Sequence, residues 1–175
     1  MKKILWASPN NLLDTTSGFA MSVLAMLHQL AKCDDYEVKI LSATIFDSQS
    51  GMTYLEEHQE TLRSKVNKFI NIKNENLNHL TYITRSIVRA EMSSYEEFTW
   101  YNKYLNLLDT FKPEIVFYFR DGLLELAMGR EAKRRGIKTV VYLASPSYKG
   151  KRWVEDIDLI ITDSFATSKM YKEQE

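Results

Sequence analysis

The chain has 175 residues, enough for one ordinary domain and too few for two full-sized ones. Its 23 Lys and Arg balance 23 Asp and Glu, which argues against wrapping DNA or RNA, a task that needs many cations on one face, so no nucleic-acid partner is expected. An apolar fraction of 45% with only 6 Gly and 3 Pro excludes disordered and fibrous classes and permits a sizeable core.

Residues 3–7, KILWA, form a short apolar run of the kind a central parallel strand requires, since both its faces are covered. Pro9-Asn10-Asn11 ends it, and a polar loop leads to Ser17-Gly18. Phe19, Val23, Leu24, Leu27, Leu30 and Ala31 then recur at spacings of three and four, predicting an amphipathic helix opened near Ser17. Met21 and Met26 lie within it and are read as core packing. YEVKILSA (36–43) is the second strand. Across 47–94 the pattern is weaker: a helix or loop, then KFINI (68–72) and LTYI (80–83) as two short strands of an edge hairpin, then a polar passage.

From residue 95 the rhythm is clear. Residues 95–111 are a helix whose apolar side includes Phe98, Tyr101, Leu105 and Leu108, broken by Lys112-Pro113. EIVFYF (114–119) is a buried strand, and Asp121-Gly122 turns into a helix closed by Gly136 at the C′ position, with Lys133, Arg134 and Arg135 suited to its dipole. TVVYLA (139–144) and DLIITD (158–163) are further strands, and Ser164 starts a terminal helix. Strands alternating with helices predict an α/β, Rossmann-like three-layer domain over residues 1–175, with a mostly parallel central sheet.

Ligands of such sheets bind outside the carboxyl ends of the strands, which selects the loops at 8–18, 43–51, 119–123 and 144–152. In the first, Asp14 belongs to a polar loop, and Ser17-Gly18 at a helix start present backbone N–H groups to a phosphate or sugar oxygen. A plainer reading makes Ser17 an N-cap and Gly18 a packing residue. After the next central strand, Arg120 is suited to clamping a carboxylate or phosphate, and Asp121 to orienting a sugar hydroxyl or to capping a helix. Ser145, Ser147, Tyr148, Lys149, Lys151 and Arg152 gather hydroxyls and positive charge, either against an acceptor ring or as a solvated run, with Trp153 packed on the sheet rim.

Other chemistry is not supported. There is neither a GxGxxG nor a GxxxxGKS/T sequence, hence no dinucleotide fingerprint or P-loop. His28, His58 and His79 are far apart and lack a triad partner; His28 lies inside the first helix and His79 precedes a strand in a structural role. Asp158 leads a strand at its amino side, away from the expected cleft. Cys33 forms no internal disulfide and is read as a small hydrophobe near a helix end; no metal is expected. No run of 18 apolar residues suggests a transmembrane segment, MKKILWASPN is too short for a signal peptide, and the expected compartment is the cytoplasm.

Together, DTTSGFAMSVLAMLHQL, YEVKILSATIFDS with its Phe46-Asp47 pair, KYLNLLDTFKPEIVFYF, REAKRRGIKTVVYLASPSY and VEDIDLIITDSFATSKMY resemble the N-terminal domain of a retaining glycosyltransferase with the two-domain GT-B fold, of the family 4-like type. The resemblance covers nearly the whole chain. It implies a domain that binds mainly the sugar or glycan acceptor, with Ser17 and Gly18 as the turn approaching the donor's phosphates. Asp14, Arg120, Asp121, Ser145, Tyr148 and Lys149 then belong to the cleft or acceptor side. It also implies no tightly bound cofactor, a nucleotide-sugar co-substrate, and a C-terminal donor-binding domain in the same or a separate chain. Two departures stand out. Ala144 occupies the position of a family His, and the chain stops about where the first domain would cross to the second. The resemblance therefore implies little or no turnover from this chain alone, because stabilising the departing nucleotide needs the second domain's positive groups. The competing reading is a non-catalytic ligand-binding or interaction module of the same fold.

Overall fold

The N-terminal apolar run becomes β1 (Lys2–Ala7), in which Leu5, Trp6 and Ala7 are wholly buried. The computed structural model describes residues 1–47, 62–119, 122–144 and 157–173. After β1 come α1 (Gly18–Lys32), β2 (Tyr36–Ala43), β3 (Phe69–Asn74), β4 (Leu77–Tyr82), α2 (Ser94–Thr110), β5 (Ile115–Phe119), α3 (Leu123–Arg134), β6 (Lys138–Tyr142), β7 (Leu159–Ile161) and α4 (Phe165–Lys172).

The strands form one seven-stranded sheet in the order β3-β4-β2-β1-β5-β6-β7. β3 runs antiparallel to β4, and the other pairings are parallel. This is the expected α/β architecture, and the hairpin predicted between 68 and 83 is present. Only its outer strand is an edge, because β4 also pairs with β2 from Ile40↔His79 to Ala43↔Tyr82. His79 therefore lies within β4 and does not precede it.

Alternation along β1 sends Ile4 and Trp6 to one face and Leu5 and Ala7 to the other. The first pair joins Phe19, Val23 and Leu27 of α1. The second joins Trp100 and Tyr104 of α2 and Met128 of α3. Helices thus cover both faces, which is why β1 and β5 read as continuous apolar runs.

The helix ends follow local chemistry. Ser17 caps α1, its hydroxyl accepting the Ala20 N–H at 3.3 Å. Ser93 and Glu96 form a reciprocal capping box on α2. Gly136, at φ +73°, takes the left-handed position after α3, where a side chain would be strained.

Three side-chain expectations are corrected. The buried face of α2 carries Trp100, Tyr104, Leu107 and Leu108, whereas Phe98 is 65% exposed. Of the expected apolar side, Leu108 is buried and Tyr101 and Leu105 pack against the core, so Phe98 alone departs. The Tyr101 and Tyr104 hydroxyls donate to the Ala127 and Met128 carbonyls at 3.4 and 2.9 Å and turn this face to α3. Met21 is 57% exposed, outside the core stripe of α1. Cys33 does follow α1, but its side chain is exposed rather than packed.

Candidate functional site

The connection from β1 leads to β2 and β4 on one side of the sheet, and that from β5 to β6 and β7 on the other. The strand order therefore reverses between β1 and β5, the switch point at which α/β sheets open a crevice beyond their carboxyl ends. The loop after β1 carries Asp14, Ser17 and Gly18. Arg120 and Asp121 after β5, and Ser145, Tyr148, Lys149 and Trp153 after β6, lie outside the described residues.

The loop after β1 is held as an extension of the sheet. The Ser8 N–H donates to the Leu41 carbonyl at 3.1 Å, the Ala43 N–H to Pro9 at 3.0 Å, and the Asn11 N–H to Ile45 at 2.7 Å. Asn10 pairs in parallel with Ile45, and Phe46 with Val88. These bonds bring the segments after β1, β2 and β4 to one rim.

Asp14 builds the turn. Its Oδ1 accepts from the Thr16 N–H at 2.9 Å and the Thr16 hydroxyl at 2.6 Å, and its Oδ2 from the Asp47 N–H at 3.3 Å. It is 1% exposed, so it shapes the rim from within. Asp47 is exposed and crosses back from the β2 side. Its carboxylate accepts from the Asn10 amide at 3.1 Å and from the Ser17 hydroxyl. Asn10 and Asp47 were not among the predicted site residues. Their signal was available, because both belong to loops at the carboxyl edge, but only the fold brings them to Ser17.

Gly18 opens α1 with its position clear: an added Cβ would meet nothing within 4 Å, and its φ is not in the left-handed region. Neither packing nor backbone conformation requires glycine there. Beneath it, Phe19 stacks on Phe119 with ring centroids 3.6 Å apart, and lies 5.7 Å from Tyr142 and 6.1 Å from Trp6. That aromatic floor seats the first turn of α1 over β1, β5 and β6. The Tyr142 hydroxyl donates to Asp163 at 3.1 Å. Burial, then its bond to Asp163, raises the Tyr142 pKa, while a hydrogen bond with Ser22 opposes them. The turn after β7 is thereby tied to α1. Ala144 is half-buried against the core on the α1 side.

Glu96, His79 and His28 serve structure. Glu96, 3% exposed, accepts from the Arg85, Ser86 and Ser93 N–H groups at 2.7, 3.2 and 2.9 Å, and from the Ser86 and Ser93 hydroxyls at 2.7 and 2.8 Å. Burial pushes its pKa up, but the bonds from Ser93 and Ser86 prevail and hold it at about 2. His79 is wholly buried with no hydrogen-bond partner on either ring nitrogen, and burial, then the charge of His28, lowers its pKa to about 4. His28 is half-buried, its ring nitrogens 2.5 and 3.0 Å from the Asn76 and Asn74 side-chain oxygens, which pins the β3–β4 hairpin to α1. Among the described residues no group of three or more His, Cys, Asp or Glu is arranged to hold a metal, and no helix is long and apolar enough to cross a membrane.

No protein-family model matches the sequence, and no curated protein matches it. Solved structures match its shape. A Listeria monocytogenes protein assigned as a UDP-N-acetylglucosamine 2-epimerase aligns over 99% of this chain and 43% of its own, with a TM-score of 0.58 and 12% identity. The UDP-GlcNAc 2-epimerase of Neisseria meningitidis, bound to UDP-GlcNAc, aligns over 100% and 43%, with a TM-score of 0.55 and 14% identity. A protein of unknown function from Vibrio parahaemolyticus aligns over 94% of both chains, with a TM-score of 0.51 and 11% identity. The chain spans less than half the length of these epimerases. At such identities the likeness establishes the fold, a Rossmann-like, GT-B-type half-domain.

Proposed function

We propose that this chain is one half of a two-domain sugar-nucleotide enzyme, and that its carboxyl edge forms a wall of the cleft holding a nucleotide-activated sugar. The observation that carries the reading is Gly18, a glycine at the crevice that neither packing nor conformation requires. A bare backbone at a helix N-terminus allows close approach by a phosphate, and the first N–H groups of the helix have no intrahelical acceptor. The fold likeness to epimerases, one of them bound to UDP-GlcNAc, supports this ligand class.

Within that class we read the chain as the acceptor-binding half of a family 4-like glycosyltransferase. Ser17 and Gly18 approach the donor's phosphates. Arg120, Asp121, Ser145, Tyr148 and Lys149 stand on the loops offered to a sugar or glycan acceptor. A donor-binding domain, in the same or a separate chain, completes the cleft and supplies the positive groups that stabilise the leaving nucleotide. Turnover then belongs to the assembled pair.

The test is titration of the isotope-labelled protein with UDP-GlcNAc, following backbone amides. The expected result is a set of shifts centred on Ser17–Phe19. Gly18→Ala has room for its methyl, so it should move stability by no more than about 0.5 kcal/mol while weakening binding about tenfold. Equal binding by wild type and Gly18→Ala, or no shifts at the carboxyl edge, would favour a non-catalytic module.

A further inference from the structure

The geometry around Asp47 points to a narrower chemistry at the α1 end of the crevice. A carboxylate only accepts, so the Asn10 amide must present its nitrogen to Asp47, as it does at 3.1 Å. That fixes the amide's orientation and leaves Asn10 Oδ1, in a side chain 2% exposed, without a hydrogen-bond partner. A buried acceptor left unpaired is costly, and its need is for a donor. Beside it, Asp47 is exposed, is already an acceptor towards Asn10 and Ser17, and places negative charge at the N-terminus of α1. Asp14 adds a second carboxylate, linked to the Asp47 N–H at 3.3 Å.

We propose that Asn10 and Asp47 form a hydroxyl-reading pair, which takes a sugar hydroxyl as donor and rejects a terminal phosphate. This rests on the reading of the carboxyl edge as a nucleotide-sugar site and divides that edge. The phosphate approaches the open backbone at Gly18, while the group beside Asp47 must bring O–H donors. A free nucleoside diphosphate carries additional negative charge where the sugar would lie, and the rim meets it with a fixed carboxylate. Unpaired acceptors reject a ligand that lacks the donor, and like charge rejects one that carries the wrong group. The pair therefore favours the intact nucleotide sugar over the nucleotide that remains once the sugar has left.

The probes are UDP-GlcNAc and UDP, titrated by calorimetry against wild type, Asp47→Asn and Asp163→Asn. Asp163 removes the same charge from the same edge but bonds to Tyr142 rather than to Asn10. Wild type should prefer UDP-GlcNAc to UDP by about tenfold. Asp47→Asn, an exposed and isosteric change, should keep the fold and reduce that preference to within about twofold, whereas Asp163→Asn should leave it unchanged. A preference unaltered in Asp47→Asn, or lost equally in Asp163→Asn, would overturn the pair and leave the nucleotide-sugar reading standing. If wild type binds neither probe, the nucleotide-sugar reading itself falls, and the pair with it.

Discussion

At the amino edge of the sheet, Lys138 meets Asp158 at 2.9 Å, and Arg135 meets both Glu131 and Asp109. Hydrogen bonds from Arg134 and Arg135 hold Glu131 at a pKa of about 2 against a smaller opposing effect of burial. An open cavity of about 410 Å³ lies at this edge, between Lys2, Glu114, Arg135 and Lys138, with its arginine and one lysine already matched to acids. At the carboxyl edge Arg89 meets Glu97 and Glu125, but four other acids there are held, among the described residues, by neutral donors. Asp14 is held by Thr16 and backbone, Asp47 by Asn10 and Ser17, Asp163 by Tyr142, and Glu96 by serines and backbone. Neutral donors fix a carboxylate's position without cancelling its charge. The acids named at the amino edge are matched by cations, whereas the rim around Asp47 keeps a charge that a ligand can meet.

That contrast can be broken by mutation. The largest effect is expected at Glu96→Gln, which puts an NH₂ group against donors that now share one buried carboxylate. We expect a loss of about 3 kcal/mol in chemical denaturation. A loss below about 1 kcal/mol would mean that the rim does not depend on acids held by neutral donors.

Next is acid, through His79. Its folded pKa of about 4 lies below the ordinary 6.5, so the unfolded chain takes up its proton first as pH falls. Stability from this group is complete above about pH 6.5 and declines towards pH 4, by about 2–3 kcal/mol. Glu96 works lower: its folded pKa of about 2 lies under the usual 4.5, so its contribution is complete above 4.5 and lost as pH falls to 2. Unfolding free energies measured between pH 7 and 4 should therefore fall in wild type and fall less in His79→Leu. Identical slopes would remove His79 from the account.

The smallest change is expected at the amino edge. Lys138 is 71% exposed in its pair with Asp158, and Lys138→Ala should cost less than about 1 kcal/mol and fade further in salt. A loss matching that of Glu96→Gln would erase the distinction between the edges.

Much of this architecture was legible in the residues. The apolar runs at 3–7 and 115–119, the serine before α1 and Gly136 after α3 act over a few positions, where chain connectivity already sets the distances. The hairpin was visible for the same reason. The candidate site was legible only in part. The loops were singled out because carboxyl ends follow from strand direction, and Ser17-Gly18 because they adjoin a helix start. On α2 only Phe98 falls outside the expected apolar side, because an aromatic at the margin of the stripe is placed by what α3 and the sheet leave uncovered rather than by period.

The sequence by itself determined the order and type of the elements, since hydrophobic period, caps and turn residues act locally. Tertiary structure alone decided that Asp47 lies on Ser17 and Asn10, which stand 30 and 37 positions before it. No local pattern encodes that meeting. It exists because β1 and β2 pair in parallel register, from Lys2↔Tyr36 to Ala7↔Leu41, and so deliver their carboxyl-end loops to the same rim.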